Sequence, residues 1–199
     1  MTTAYNKFYI NGEWVEPAGR ETIDVINPAT EEAFATISMG TAEDVDAAAK
    51  AARAAFPAWS QSSVEERKTV LQKIMAGIQA RAGDLASAIT SEMGAPVGLA
   101  NAAQVPSGLG HFAAVLPVIE NYKFQETRGS TLIVKEAAGV CGFITPWNWP
   151  LNQIACKVAP ALAAGCTIVL KPSEVAPINA YILAEIIDEC GLPPGVFNL

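Results

Sequence analysis

Nothing at the start of this 199-residue chain reads as a secretory leader, since MTTAYNKFYINGEW has no basic stretch followed by an apolar one. No run approaches the roughly 20 consecutive apolar residues that cross a bilayer, although 51% of the residues are hydrophobic, so the chain reads as soluble and globular. Basic residues are scarce, 13 against 20 acidic for a net charge of −7, and they form no cluster. That balance argues against nucleic acid and anionic membrane as partners. Histidine occurs once, at His111, and Cys141, Cys156, Cys166 and Cys190 show no CxxC or metal-ligand spacing. No metal is therefore expected, and His111 reads as a surface or satisfied core residue. The cysteines lie in apolar segments and read as reduced, mostly buried thiols, which points to the cytoplasm. No GxGxxG follows a strand-like run, which counts against an unrelated nucleotide-binding β-α-β protein. There is no internal repeat or low-complexity tract.

What the chain does contain is concentrated between Gly139 and Glu174. Val140 to Thr145 is a short apolar run bounded by Gly139 and Pro146, suited to a buried parallel strand. After a turn through Pro146, Trp147 and Asn148, Pro150 sits where the first turn of a helix tolerates it. Leu151, Ile154, Ala155, Val158, Ala159 and Leu162 then recur at helical spacing, Gly165 closes the helix, and CTIVL from Cys166 to Leu170 is a second strand. In such a β-α-β unit ligands bind beyond the carboxyl ends of the parallel strands. Trp147 and Asn148 lie at one such end and Lys171, Ser173 and Glu174 at the next. A lysine and a glutamate there can hold sugar hydroxyls, and the glutamate disfavours a 2′-phosphate by charge repulsion. Asn148 offers a neutral N–H donor that can stabilise an oxyanion without titrating.

PWNWP, then Lys157, PALAAG and KPSE, resembles the N-terminal part of the NAD(P)-dependent aldehyde dehydrogenase superfamily, from about Phe8 to Leu199. The resemblance implies that Asn148 supplies the oxyanion-hole side chain and that Lys171 and Glu174, with Ser173 beside them, hold the adenosine ribose. It implies that Ile144, Thr145, Pro146 and Trp147 line the cofactor cleft, and that Lys157 handles protons near the general base. It also implies that the family's glycine-rich turn, general-base glutamate and nucleophilic cysteine lie after Leu199, so that this chain ends before the catalytic domain and is inactive alone. Cys156, the cysteine nearest the site, is thereby not the expected nucleophile.

Elsewhere the chain reads as support. Asn11-Gly12 lies between two β-prone runs in KFYINGEWV, a hairpin signal, and Ile23 to Ile26 with Ala33 to Ile37 forms a second strand pair. Thr41 with Asp44 opens a helix that buries Val45, Ala48, Ala49, Ala52 and Phe56 and stops at Pro57. Ser63 with Glu66 opens another, burying Val70, Leu71, Ile74, Met75 and Ile78, and a third runs from Asp84 to Met93 before Gly94. The family has a long helix over Val97 to Val118, but Pro106, Gly108, Gly110 and Pro117 predict shorter pieces or kinks. Asn121 to Glu136 alternates as a β-ribbon turning at Arg128-Gly129-Ser130, which the resemblance assigns to subunit assembly as a homo-dimer or homo-tetramer. Ile178 to Glu189 is a helix with Ile178, Ile182, Ile186 and Cys190 on one stripe, followed by a third strand in GVFNL.

The expected fold is α/β: a Rossmann-like parallel sheet with flanking helices, N-terminal β-hairpins and a projecting β-ribbon. Residues 1–120 form hairpins and helices of the cofactor domain, 121–137 the ribbon, and 138–199 the first part of the cofactor sheet. Trp149, Asn152, Gln153 and Cys156 fall at i, i+3, i+4 and i+7, on one helix face that the resemblance makes the wall of a substrate funnel. Two amides there suit a polar or charged aldehyde, because an amide left unpaired against hydrocarbon costs roughly 1 to 3 kcal/mol. The expected function is oxidation of a small-molecule aldehyde to a carboxylic acid with NAD, NADP being possible, through a cysteine thiohemiacetal and thioester. The alternative is a non-catalytic cofactor-binding or subunit-assembly module.

Overall fold

The structure, a computed structural model, describes residues 3–199. Its central element is a parallel sheet of three strands in the order β10-β9-β8, comprising β8 (Val140–Ile144), β9 (Thr167–Lys171) and β10 (Phe197–Asn198). Two helices connect them, α5 (Pro150–Ala164) and α6 (Ile178–Glu189). Gly165 ends α5 at φ 86°, where an ideal Cβ would lie 2.8 Å from the Arg67 guanidinium. That position therefore requires glycine for both conformation and space. Arg67 itself is buried, donating to Ala163 O, Ser60 O and the Ser62 hydroxyl. Helix α6 is buried on almost every side, well beyond the Ile178-Ile182-Ile186-Cys190 stripe.

The N-terminal strands extend and flank this sheet. Strands β2 (Phe8–Ile10) and β3 (Glu13–Val15) form the expected hairpin, with Asn11 at φ 55° and Gly12 at φ 80°. Tyr9 and Leu199 exchange backbone hydrogen bonds of 3.1 and 2.8 Å, which lays β2 alongside the end of the chain. Strands β4 (Thr22–Asn27) and β5 (Glu32–Ser38) pair antiparallel, and β1 (Thr3–Tyr5), not foreseen from the sequence, adds to β5 in parallel. Strands β6 (Gln125–Arg128) and β7 (Thr131–Val134) form the two-stranded ribbon, with Leu132 and Val134 exposed.

Helices α1 (Ala42–Ser60), α2 (Val64–Ala80) and α3 (Ala82–Met93) carry the expected signals: complete capping boxes at Thr41/Asp44 and Ser63/Glu66, and a left-handed Gly94 at φ 75°. Two expectations for α1 fail. The helix runs through Pro57 to Ser60, and its buried side is Asp44, Ala48, Ala52 and Trp59, while Val45 is exposed and Phe56 only half-buried. Burial of Trp59 at 4% exposure holds the last turn in place, with Pro57 itself facing solvent. Val97 to Asn121 is one continuous helix, α4, so the expected separate pieces do not occur, although its regularity is interrupted next to Pro106. After a first α-helical turn, Val97–Leu99, it passes through a π-helical segment over Ala100–Gln104, where the Val105 N–H bonds to Ala100 O, and Pro106 follows directly. The wider turn accommodates a residue with no N–H to place. By length and composition α4 could cross a bilayer, but its Val105, Phe112 and Ile119 are buried in the shared core.

Candidate functional site

Strand pairing brings the two strand ends into register. Ile144 is the partner of Lys171, and the Thr145 N–H donates to Lys171 O at 3.2 Å. Thr145 is buried, whereas Ile144 is 79% and Trp147 49% exposed, so apolar surface stands open beside the strand ends. Pro146, Trp147 and Asn148 then bend the chain away from the sheet. Trp149, at φ −142° and ψ 69°, is the residue that caps α5, and Pro150 is the first helical residue. Asn148 is therefore not the helix cap; it is exposed, and its amide makes no hydrogen bond among the described residues.

On the neighbouring strand Lys171 Nζ lies 2.8 Å from Glu174 Oε2, with both side chains about half exposed. The Lys171 hydrogen bond, with the Glu174 backbone N–H assisting, holds the Glu174 carboxyl below its usual range, so it is ionised at neutral pH. Ser173 is buried, and its hydroxyl accepts from the Val175 N–H at 3.2 Å, shaping the turn that carries Glu174.

The helix-wheel expectation for α5 matches the burial. Leu151, Ile154, Ala155, Val158, Ala159 and Leu162 are buried, while Trp149, Asn152, Gln153 and Cys156 are half-buried together on another side. Lys157 Nζ turns back along the helix, 2.9 Å from Gln153 O, 3.3 Å from Gln153 Oε1 and 3.5 Å from Cys156 Sγ. The other cysteines are free: Cys166 and Cys190 are buried, and burial raises the half-buried Cys141 thiol to about 11, far from thiolate chemistry at neutral pH.

One residue of this region was not foreseen. His111, on α4, places its Nε2 2.7 Å from Asn152 Oδ1. The sequence signal was Gly108, one turn earlier. An ideal Cβ there would lie 2.6 Å from Leu151 Cγ, so the missing side chain is what lets α4 press against the start of α5. Read as a helix breaker, Gly108 hid the contact that it creates.

The two parallel strands thus end side by side in an α/β fold, with the Asn148 amide, the Lys171–Glu174 pair and the open side chains of Ile144 and Trp147 around their carboxyl ends. The chain matches the aldehyde dehydrogenase family over residues 14–199 and belongs to that family. It is 57% identical over 196 residues to the 3-succinoylsemialdehyde-pyridine dehydrogenase of a Pseudomonas species, covering 98% of this chain and 41% of that protein. Among solved structures, aldehyde dehydrogenase C of Pseudomonas syringae, a cysteine-to-alanine variant in complex with NAD+ and octanal, superposes with a TM-score of 0.96. It is 51% identical, and the match covers 98% of this chain and 40% of that one. Lactaldehyde dehydrogenase of Escherichia coli gives a TM-score of 0.93 at 40% identity, covering 100% of this chain and 42% of the other. The chain thus spans about two fifths of the length of these relatives.

Proposed function

We propose that this chain forms the cofactor-binding and oxyanion-stabilising part of an enzyme that oxidises an aldehyde to a carboxylic acid with NAD+. The observation that carries the reading is the pairing of Ile144 and Thr145 with Lys171, which sets the free Asn148 amide and the ionised Lys171–Glu174 pair at adjacent strand ends. This donor set fits an adenosine ribose: the Glu174 carboxylate accepts from the diol, and Lys171 donates to it. Negative charge on Glu174 repels a 2′-phosphate, which favours NAD over NADP. Bound NAD+ supplies the hydride acceptor. Exposed Ile144, Pro146 and Trp147 offer the cofactor an apolar wall with Thr145 buried behind it, and Ser173 fixes the turn beneath Glu174.

Asn148 donates an N–H to the substrate oxygen as that oxygen gains negative charge. Lys157 is the group we assign to proton handling, and the family resemblance assigns nucleophile and general base to residues after Leu199. The relatives differ in substrate, one named for a pyridine semialdehyde and another solved with octanal. The substrate class is therefore read from the funnel face of Trp149, Asn152, Gln153 and Cys156, whose two amides favour a polar or charged aldehyde. We assign the β6–β7 ribbon to homo-oligomer assembly and the protein to the cytoplasm.

The test is NAD+-dependent aldehyde oxidation by the complete polypeptide that its gene encodes. Asn148→Ala should lower kcat by about 10²- to 10³-fold, while a change within tenfold refutes the oxyanion role. A second reading, a cofactor-binding or assembly module, is favoured by the exposed Leu132 and Val134 on the ribbon. It gives NAD+ binding with no aldehyde oxidation at all.

A further inference from the structure

The half-buried face of α5 carries two amides, and the oxygen of each is already engaged. Asn152 Oδ1 lies 2.7 Å from His111 Nε2, and Gln153 Oε1 lies 3.3 Å from Lys157 Nζ. An amide oxygen only accepts, so His111 Nε2 carries a proton and donates. With each oxygen turned to its protein donor, the two NH2 groups point the other way, and neither has a protein acceptor among the described residues. The contact is held firmly. Gly108 lets Leu151 pack against the α4 backbone, and Phe112 and Leu151, the neighbours of His111 and Asn152, are both fully buried. His111 lies one turn beyond Gly108 on the same side of α4, which brings the ring against Asn152 near the start of α5.

We infer that His111 is a positioning residue that locks the Asn152 amide with its NH2 turned toward the substrate, making the face a row of donors beside the Lys157 ammonium. This rests on the proposed aldehyde oxidation and narrows its substrate class: the aldehyde carries a hydrogen-bond acceptor, a carboxylate or carbonyl oxygen, remote from the reacting carbon. A cationic tail, which has nothing to accept with and meets like charge at Lys157, is disfavoured.

The experiment compares short ω-oxo carboxylates with alkanals of the same carbon count, using the complete polypeptide with NAD+. The wild type prefers the ω-oxo acids. His111→Phe keeps a flat ring but no donor, and should lower the acid-to-alkanal ratio of kcat/KM about tenfold, the loss lying in the KM for the acids. His111→Gln, which regains an N–H near the same place, should restore the ratio. A wild type that prefers alkanals, an unchanged ratio in His111→Phe, or an equal loss in both variants overturns the inference. Absence of any NAD+-dependent oxidation by the wild type overturns the functional reading on which it rests, a result distinct from the other three.

Discussion

Glu92 ties α3 to the start of α6, and replacing it by glutamine has an effect whose sign depends on pH. Its carboxylate accepts from the Ile178 N–H at 2.6 Å, the Asn179 N–H at 3.2 Å and the Asn179 Nδ2 at 2.6 Å. Helix α6 has no side-chain cap of its own, so this residue, 86 positions away from Ile178, takes that role. Burial outweighs the three donors and raises the carboxyl from 4.5 to about 7. The native chain therefore holds this proton over a pH range in which the unfolded chain has released it. The stability contributed by the proton is complete below pH 4.5 and is lost as pH rises through about 7. A shift of this size corresponds to about 3 kcal/mol. Glu92→Gln keeps the shape and an acceptor oxygen without the titration, so the difference in unfolding free energy between the two proteins isolates the effect from every other titrating group. Urea unfolding followed by tryptophan fluorescence should show the variant gaining about 3 kcal/mol on the wild type between acid and neutral pH. A constant difference, or a gain by the wild type, would show that the donors and the helix N-terminus hold the charge more strongly than burial expels it.

Two glycines give packing predictions. Gly108→Ala sets a methyl group 2.6 Å from Leu151 Cγ, so it should destabilise by about 1 to 3 kcal/mol in the same assay; a neutral result would mean that α4 and α5 part easily. Gly165→Ala combines φ 86° with a Cβ 2.8 Å from the buried Arg67 guanidinium, and its loss should exceed that of Gly108→Ala. If it is the milder change, Arg67 moves freely and does not brace the turn.

The parts of this molecule that were legible in the sequence are those set by neighbours along the chain. Thr41 with Asp44 and Ser63 with Glu66 satisfy one another within a single turn. The Asn11-Gly12 turn and the left-handed Gly94 and Gly165 follow from backbone preference, and the α5 wheel separates buried from half-buried residues as its spacing implies. Four features were not legible, because distant contacts decide them. Burial of Trp59 carries α1 past Pro57, against the local penalty of proline. The parallel pairing of β1 with β5 joins residues with no local signal between them. The π-helical segment absorbs Pro106, and the Gly108–Leu151 contact turns an apparent breaker into the reason His111 meets Asn152. At the candidate site the strand ends were legible through the PWNWP and KPSE motifs, whereas His111, a lone histidine on a helix expected to be broken, was not.

The central claim is that the carboxyl ends of β8 and β9 hold a dinucleotide through Lys171 and Glu174. Titration of the protein with NAD+ and with NADP+, followed by quenching of Trp147 and its neighbours or by calorimetry, tests it most directly. NAD+ should bind the more tightly, and Glu174→Gln, which removes the charge facing a 2′-phosphate, should narrow the preference about tenfold. Equal binding of the two cofactors by the wild type, or a preference that Glu174→Gln leaves untouched, would contradict the account.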